Sequence, residues 1–267
     1  MEVALAGLSG PAAGTRFDVP PGVKIAVGRG GKSQHAIAAD ARMGEEHFEI
    51  GFAAGRCAVR DLGQDGGTHV NGRKLGTAPL DVRHGDVILA GGSHFRVRIH
   101  VPEVWTDLTP AEKALLALLY GAGERVWAIL DAAREDRIPA FLEASDAEHV
   151  SLFEGPRARD LKSVAPFLAM VPNGSRILRI LLREGWGKSW GVYFTCSGSM
   201  PDLRRHLQQF LSMQDAAGRR YIYRFYDPRV LRSTLPTTLG YERIRFFGPI
   251  ARFVLEDPDG AALTMSK

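Results

Sequence analysis

Short apolar runs broken by glycine dominate the first hundred residues. Stretches 23–27, 48–52, 57–62, 87–89 and 95–101 are rich in Val, Ile, Phe and Leu, and the breaks carry Gly30-Gly31, Ala54-Gly55, Gly66-Gly67, Asn71-Gly72 and Gly91-Gly92. Runs this short at this spacing predict an antiparallel β-sandwich. Asn71-Gly72 suits a tight hairpin, because both residue types reach the positive φ that such a turn needs.

From Arg125 the period changes. Residues 126–130 (VWAIL) read as a buried strand ending in Asp131, and 132–145 as a helix. Strands at 149–153, 190–196 and 221–226 alternate with helices at 175–183, at 200–212 and from Asp227 onward. A final hairpin, 251–256 and 262–265, turns at Asp257-Pro258-Asp259-Gly260. Alternation of this kind predicts an α/β or α+β layer with helices covering a sheet. The expected fold is therefore multi-domain: an all-β sandwich over 1–101, a linker with a short helix over 102–123, and an α/β (α+β) domain over 124–267. In the linker Thr109 is an N-cap, Pro110 opens the first turn and Glu112 follows three residues after the cap. The apolar face of Ala114, Leu115, Leu118 and Leu119 predicts that this helix packs on one of the two domains.

Composition narrows the function classes. Hydrophobic residues at 45% with 24% charged fit a soluble globular chain. The net charge of +4 is spread among mixed signs without a basic stripe, which argues against nucleic acid as a partner. No apolar run approaches the roughly 20 residues of a membrane span. Cys57 and Cys196 stand alone, so a disulfide framework or cysteine-based zinc site is excluded. The N-terminus lacks the basic and apolar regions of a secretory signal, and the expected location is cytoplasmic.

Candidate chemistry is sparse. The stretch RFYDPRVL, 224–231, sets Asp227 between Arg224 and Arg229. Asp before Pro228, with Val230, Leu231 and Leu235 at helical spacing, reads as a helix N-cap favoured by the dipole. A catalytic carboxylate needs a second acid, a histidine or a metal set nearby, and the sequence there offers none. Phosphate loops, dinucleotide fingerprints, HExxH and GxSxG are absent. Cys196 reads as a small core residue and His206 as solvent-facing. Trp186 and Trp190 are core anchors or exposed contacts, with core favoured. No catalytic residue, metal or cofactor is expected, and no enzymatic activity.

Four motifs in order, GVKIAVGR, GEEHFEI, DLGQDGGTHVNGRKL and LDVRHGDVILAGGSHFRV, resemble the forkhead-associated (FHA) domain. That resemblance implies a β-sandwich whose loops at one end read phosphothreonine peptides. It places Arg29 at the arginine that meets the phosphate and His47 at the histidine that braces the loops. Gly44 stands where the family has a phosphate-binding serine, and Gly66 where its Ser-x-Asn-Gly-Thr turn has asparagine. Asn71 lies in the same group of loops. Glu45, Glu46 and Asp65 add carboxylates. A phosphothreonine brings close to two negative charges. One carboxylate within a few Å opposes it by roughly 1–4 kcal/mol at surface-like dielectric, enough to offset a charged hydrogen bond. The module is therefore expected to have lost ordinary phosphothreonine reading, unless Arg42 or Lys32 compensates.

Five further blocks between Arg125 and Asp257, among them VWAILDAARED, REGWGKSWGVYFTCSG and IRFFGPIARF, resemble the adaptor or chaperone domain of bacterial type VI secretion (Tap/Tec-type), long classed as a domain of unknown function. The resemblance implies binding of a toxic effector and its loading onto a VgrG spike protein, with another secretion-apparatus protein as a candidate partner of the FHA-like module. The alternative is a phosphothreonine-dependent signalling adaptor that regulates assembly of the apparatus. Partner-binding candidates are Trp186, Trp190, Arg224, Tyr226 and Arg229, since interfaces rest on a few aromatic and arginine anchors. In a strand over 221–226, Phe225 faces the core and Arg224 faces outward. Many members continue into a helical lobe, whereas this sequence ends at Lys267. The expectation is that effector contacts on that lobe are missing here or come from the FHA-like module.

Overall fold

The structure is a computed structural model that describes residues 2–145, 147–155, 160–214 and 218–267; residues 156–159 and 215–217, which fall among the sequence blocks singled out between Arg125 and Asp257, lie outside the described residues. The chain divides into two compact units, Met1–Val101 and Pro102–Lys267.

The first unit is built from strands β1 (Glu2–Ser9), β2 (Arg16–Val19), β3 (Lys24–Gly28), β4 (His35–Ala36), β5 (Phe48–Ala53), β6 (Arg56–Asp61), β7 (His69–Val70), β8 (Arg73–Lys74), β9 (Leu80–Val82), β10 (Val87–Ala90) and β11 (Ser93–His100). One sheet runs β2-β1-β11-β10-β7-β8 and the other β4-β3-β5-β6-β9. Alternate residues of β5, β6, β10 and β11 point inward, as a half-buried sheet requires. Val27, Phe48, Ile50, Val59, Ile88, Phe95 and Val97 are fully buried between the sheets. Phe48 and Phe95, one from each sheet, meet edge to face at 5.7 Å. The sandwich expected from the glycine-broken runs is the fold observed. Strands β1 and β2 were not legible in the sequence: EVALAGLS is rich in small residues with weak strand preference, and pairing with β11 and β2 is what buries it.

The second unit comprises α1 (Pro110–Tyr120), β12 (Val126–Asp131), α2 (Ile138–Ala144), β13 (His149–Ser151), β14 (Pro166–Met170), α3 (Arg176–Ile180), β15 (Gly191–Thr195), α4 (Met200–Gln208), β16 (Ser212–Gln214), β17 (Arg220–Ile222), α5 (Pro228–Thr234), α6 (Gly240–Phe247), β18 (Arg252–Glu256) and β19 (Ala262–Ser266). Its main sheet runs β13-β14-β12-β15-β18-β19, antiparallel throughout. Along β12, Val126, Ala128 and Leu130 face one core with α1, α2 and α3, while Trp127 and Ile129 face another with α4, α5 and α6. Helices cover both faces of the sheet, which is why every residue of β12 is buried. Both clusters are apolar, and the one buried indole in the central strand, Trp127, donates its N–H to the Cys196 carbonyl at 2.9 Å.

Residues 102–123, expected as a linker, belong to this unit. Leu115 and Leu119 are buried in its core, and the Tyr120 hydroxyl donates to the Val171 carbonyl at 2.7 Å. Thr109 and Glu112 close a reciprocal capping box at the start of α1. The helix read over 132–145 begins only at Ile138, because Asp131 accepts from the Ala133 and Arg134 region as a turn: its Oδ1 takes the Ala133 N–H at 3.1 Å. The strand read over 221–226 ends at Ile222. The chain then turns, so Phe225 and Tyr226 are both buried although they are adjacent. Among the described residues no helix is long and apolar enough to cross a membrane.

Candidate functional site

The loops after β3 and before β5 form one wall of a cleft at an end of the sandwich. Gly28 ends β3 where any Cβ would stand 2.2 Å from the Glu45 carbonyl. That approach lets Arg29 N–H donate to the Gly44 carbonyl at 2.7 Å and Gly30 N–H to the Glu45 carbonyl at 3.1 Å. The Ser33 hydroxyl adds a bond to the same Glu45 carbonyl at 2.7 Å. Two exposed side chains rise from this zipped pair of loops, with Arg29 Nη2 3.6 Å from Glu45 Oε1.

His47 holds the opposite wall in place. It is fully buried; Nδ1 accepts the Gly44 N–H at 3.0 Å, so the proton sits on Nε2 and points at the Gly67 carbonyl at 3.2 Å. One imidazole thus ties the loop before β5 to the loop before β7. Asp61 steadies the second loop by accepting from Thr68 N–H at 3.0 Å and Thr68 hydroxyl at 2.6 Å. Asp40 does the same for the turn before β11, accepting from Gly92 N–H, the Ser93 hydroxyl and Arg42 N–H. Burial pushes the Asp40 carboxyl up, but these bonds and the Arg42 charge outweigh it and hold the group below its ordinary value.

Between these walls lies a cavity of about 590 Å³, lined among others by Arg29, Arg42, Gly44, Gln64, Asp65 and Gly66. A Cβ on Gly44 would meet the Gln64 side chain at 2.2–2.5 Å, so glutamine fills the space next to the residue that replaces serine. Gly66 has φ of 81° and open space around it. Asn71 takes part differently. With φ of 50° it turns the β7–β8 hairpin, accepts the Val87 N–H at 2.9 Å and donates to Asp86 at 2.8 Å, outside the cavity lining. Of the five residues singled out in these loops, Arg29, Gly44 and Gly66 line the cavity, His47 supports it and Asn71 shapes a neighbouring turn.

In the second unit the partner candidates separate. Trp190 is 3% exposed and stacks on Phe141 at 6.1 Å, and Tyr226 is 2% exposed. Neither offers surface, which corrects the expectation for both; Gly185 leaves room for the Trp190 ring, and the turn after Ile222 carries Tyr226 inward. Trp186 is half-buried, its indole N–H donating to the Gly260 carbonyl at 2.7 Å. Arg224 pairs with Asp131, and Arg229 grips Asp227 through two contacts at 3.0 and 2.6 Å. Asp227 caps α5, accepting the Arg229 N–H at 3.0 Å. Glu256 accepts from Gly187 N–H, Ser189 N–H and the Ser189 hydroxyl, closing the turn before β15. Apolar residues that do face solvent include Val104 and Ile222 and, on and beside α6, Leu239 at 76%, Tyr241 at 74% and Ile244 at 54%. Pattern reading missed them because it assigns apolar positions to cores, and Phe246 and Phe247 on the same helix satisfy that rule.

The FHA domain family matches residues 25–91, and the family described as domain of unknown function DUF4123 matches residues 126–244. The chain therefore carries an FHA domain in its N-terminal unit and a DUF4123 domain in its C-terminal unit. Similar solved structures cover the first unit. The FHA domain of an Arabidopsis thaliana hypothetical protein is 30% identical, with 39% of this chain and 91% of that chain covered and a TM-score of 0.36. An FHA domain studied for phosphothreonine-dependent interactions is 27% identical, with 38% and 99% covered and a TM-score of 0.34. The FHA domain of CT664 protein from Chlamydia trachomatis is 20% identical, with 38% and 100% covered and a TM-score of 0.36. No match is found among curated proteins.

Proposed function

We propose that the chain is a non-enzymatic adaptor or chaperone that binds a type VI secretion effector and loads it onto a VgrG spike, with the FHA unit as a second protein contact. One observation supports this most directly. The polar groups of the second unit that look reactive in sequence are engaged with one another, Asp131 with Arg224 and Asp227 with Arg229, while Leu239, Tyr241 and Ile244 stand in solvent. Tyr241 and Ile244 are three residues apart on α6 and share a side of the helix. Exposed apolar groups gathered on one element are characteristic of protein-contact surface. The test is co-purification of the full chain with the toxin and spike encoded beside it. Association with either supports the role; absence of both, or turnover of a substrate by the purified chain, removes it.

A second reading draws on the cleft: two arginines line an open cavity, which favours a phosphothreonine-dependent adaptor that regulates assembly of the apparatus. Binding of a phosphothreonine peptide that Arg29→Ala abolishes would establish it.

A further inference from the structure

We propose that Glu45 is a tethered anion that sets what the FHA cleft accepts: an unphosphorylated, neutral-to-basic protein segment, with phosphothreonine rejected. The inference rests on the cleft being a protein-contact site and adds the charge class of its ligand.

The placement of Glu45 is built into the loop. A Cβ on Gly30 would lie 1.6 Å from Glu45 Oε2 and 2.5 Å from its Cδ, so the carboxylate lies against a bare Cα. Gly30 is not among the glycines with positive φ, so the position serves space and not torsion. Any larger residue there would push the carboxylate away from Arg29. As an exposed pair, with side chains 44% and 61% accessible, Arg29 and Glu45 contribute little to stability. The consequence falls on a ligand. A phosphate approaching Arg29 meets a carboxylate already 3.6 Å from the guanidinium. It must displace that group or sit beside it, and a dianion is opposed more than a neutral or cationic side chain is.

The rest of the cleft points the same way. Arg42, the other lining arginine, neighbours the buried Asp40 carboxylate, and Asp65 adds a charge on the rim. Three positive charges, Arg29, Arg42 and the Lys74 ammonium beside Gly67, are set against three carboxylates, Glu45, the buried Asp40 and Asp65. The space beside Gly44 is filled by the neutral Gln64 amide. A cleft whose arginines are each met by a carboxylate offers no surplus positive charge to a dianion, and its exposed acids, Glu45 and Asp65, complement a segment bearing Lys or Arg.

The experiment uses the full chain and two immobilised peptide libraries, one centred on phosphothreonine and one identical but centred on threonine. The parent is expected to retain the threonine library more strongly than the phosphothreonine one, and within the threonine library to favour peptides carrying Lys or Arg over those carrying Asp or Glu. Glu45→Gln removes the charge, and Gly30→Ala displaces it without removing it. Each is expected to raise the phosphothreonine-to-threonine ratio at least about tenfold, or about 1.4 kcal/mol. Adding Arg29→Ala to Glu45→Gln returns the ratio to parent. An Arg29-dependent preference of the parent for the phosphorylated library overturns the proposal, as does an unchanged ratio in both variants. Toxin and spike capture is not read here, so failure of one idea is distinguishable from failure of the other.

Discussion

Arg224 and Asp131, 93 residues apart in the chain, form an ion pair whose carboxylate is fully buried at the end of β12 while the guanidinium side chain stays 39% accessible. The pair joins the turn after β17 to the middle of the main sheet. Removing one partner of such a pair leaves a buried charge uncompensated, a loss of about 3–5 kcal/mol when both groups are enclosed. Because water reaches Arg224, Arg224→Ala is expected to cost about 2–3 kcal/mol, measured by urea unfolding. Asp131→Asn in the same background should recover part of that loss. An Arg224→Ala protein as stable as the parent that fails to capture its partner would restore Arg224 to the binding surface.

The cap at Asp227 predicts a pH dependence. Burial raises its carboxyl, but hydrogen bonds from the Arg229 side chain and N–H, with the Arg229 and Arg224 charges, outweigh burial and hold it below the ordinary value of 3.8. A group depressed on folding adds stability above its unfolded value and loses it as pH falls through the folded value. Asp227→Asn should therefore be less stable than the parent at pH 7, with the gap closing below about pH 4. Asp227→Ala also loses the cap, a further cost of about 1–2 kcal/mol. A gap that stays constant from pH 7 to pH 3 would remove the ionic part of this account.

Asp227 also shows how far local chemistry in the sequence reaches. Cap, proline and helical spacing occupy a few neighbouring residues, and the structure realises them as written. The same holds for Thr109 with Glu112 and for Asn71-Gly72, whose φ values of 50° and 81° fit a tight hairpin. Properties set by distant partners were not legible. Alternating strands and helices are as compatible with a parallel sheet as with the antiparallel one observed, since register depends on which edges meet. β14 (PFLAM) is five residues opened by proline and takes its identity from β12 and β13 on either side. In the cleft, motif order located Arg29, Gly44 and His47. That Glu45 folds onto Gly30, and Gln64 into the space at Gly44, is side-chain placement that no spacing encodes.

Trp190 and Tyr241 separate core from surface in the second unit. Trp190→Ala empties a buried site between Phe141 and the turn at Gly185 and should cost about 3–5 kcal/mol. Tyr241→Ala, at 74% exposure, should stay within about 0.5 kcal/mol of the parent. If α6 meets a partner, Tyr241→Ala combined with Ile244→Ser should weaken capture in a pull-down at unchanged melting temperature. Unchanged capture by that double variant would direct attention to another face of the unit.

His47 governs the shape of the cleft, and two substitutions divide its work. His47→Ala strands the Gly44 N–H and the Gly67 carbonyl in a buried site, where each unsatisfied group costs about 1–3 kcal/mol. His47→Asn places an amide oxygen near the position of Nδ1, keeping the bond to Gly44 and giving up the one to Gly67. Amide hydrogen exchange at Gly44 should accelerate strongly in His47→Ala and little in His47→Asn, while the loop at Gly66-Gly67 loosens in both. Equal exchange at Gly44 in parent and His47→Ala would mean that the ring does not hold the walls together, and that the backbone bonds from Arg29 to Gly44 and from Gly30 to Glu45 suffice.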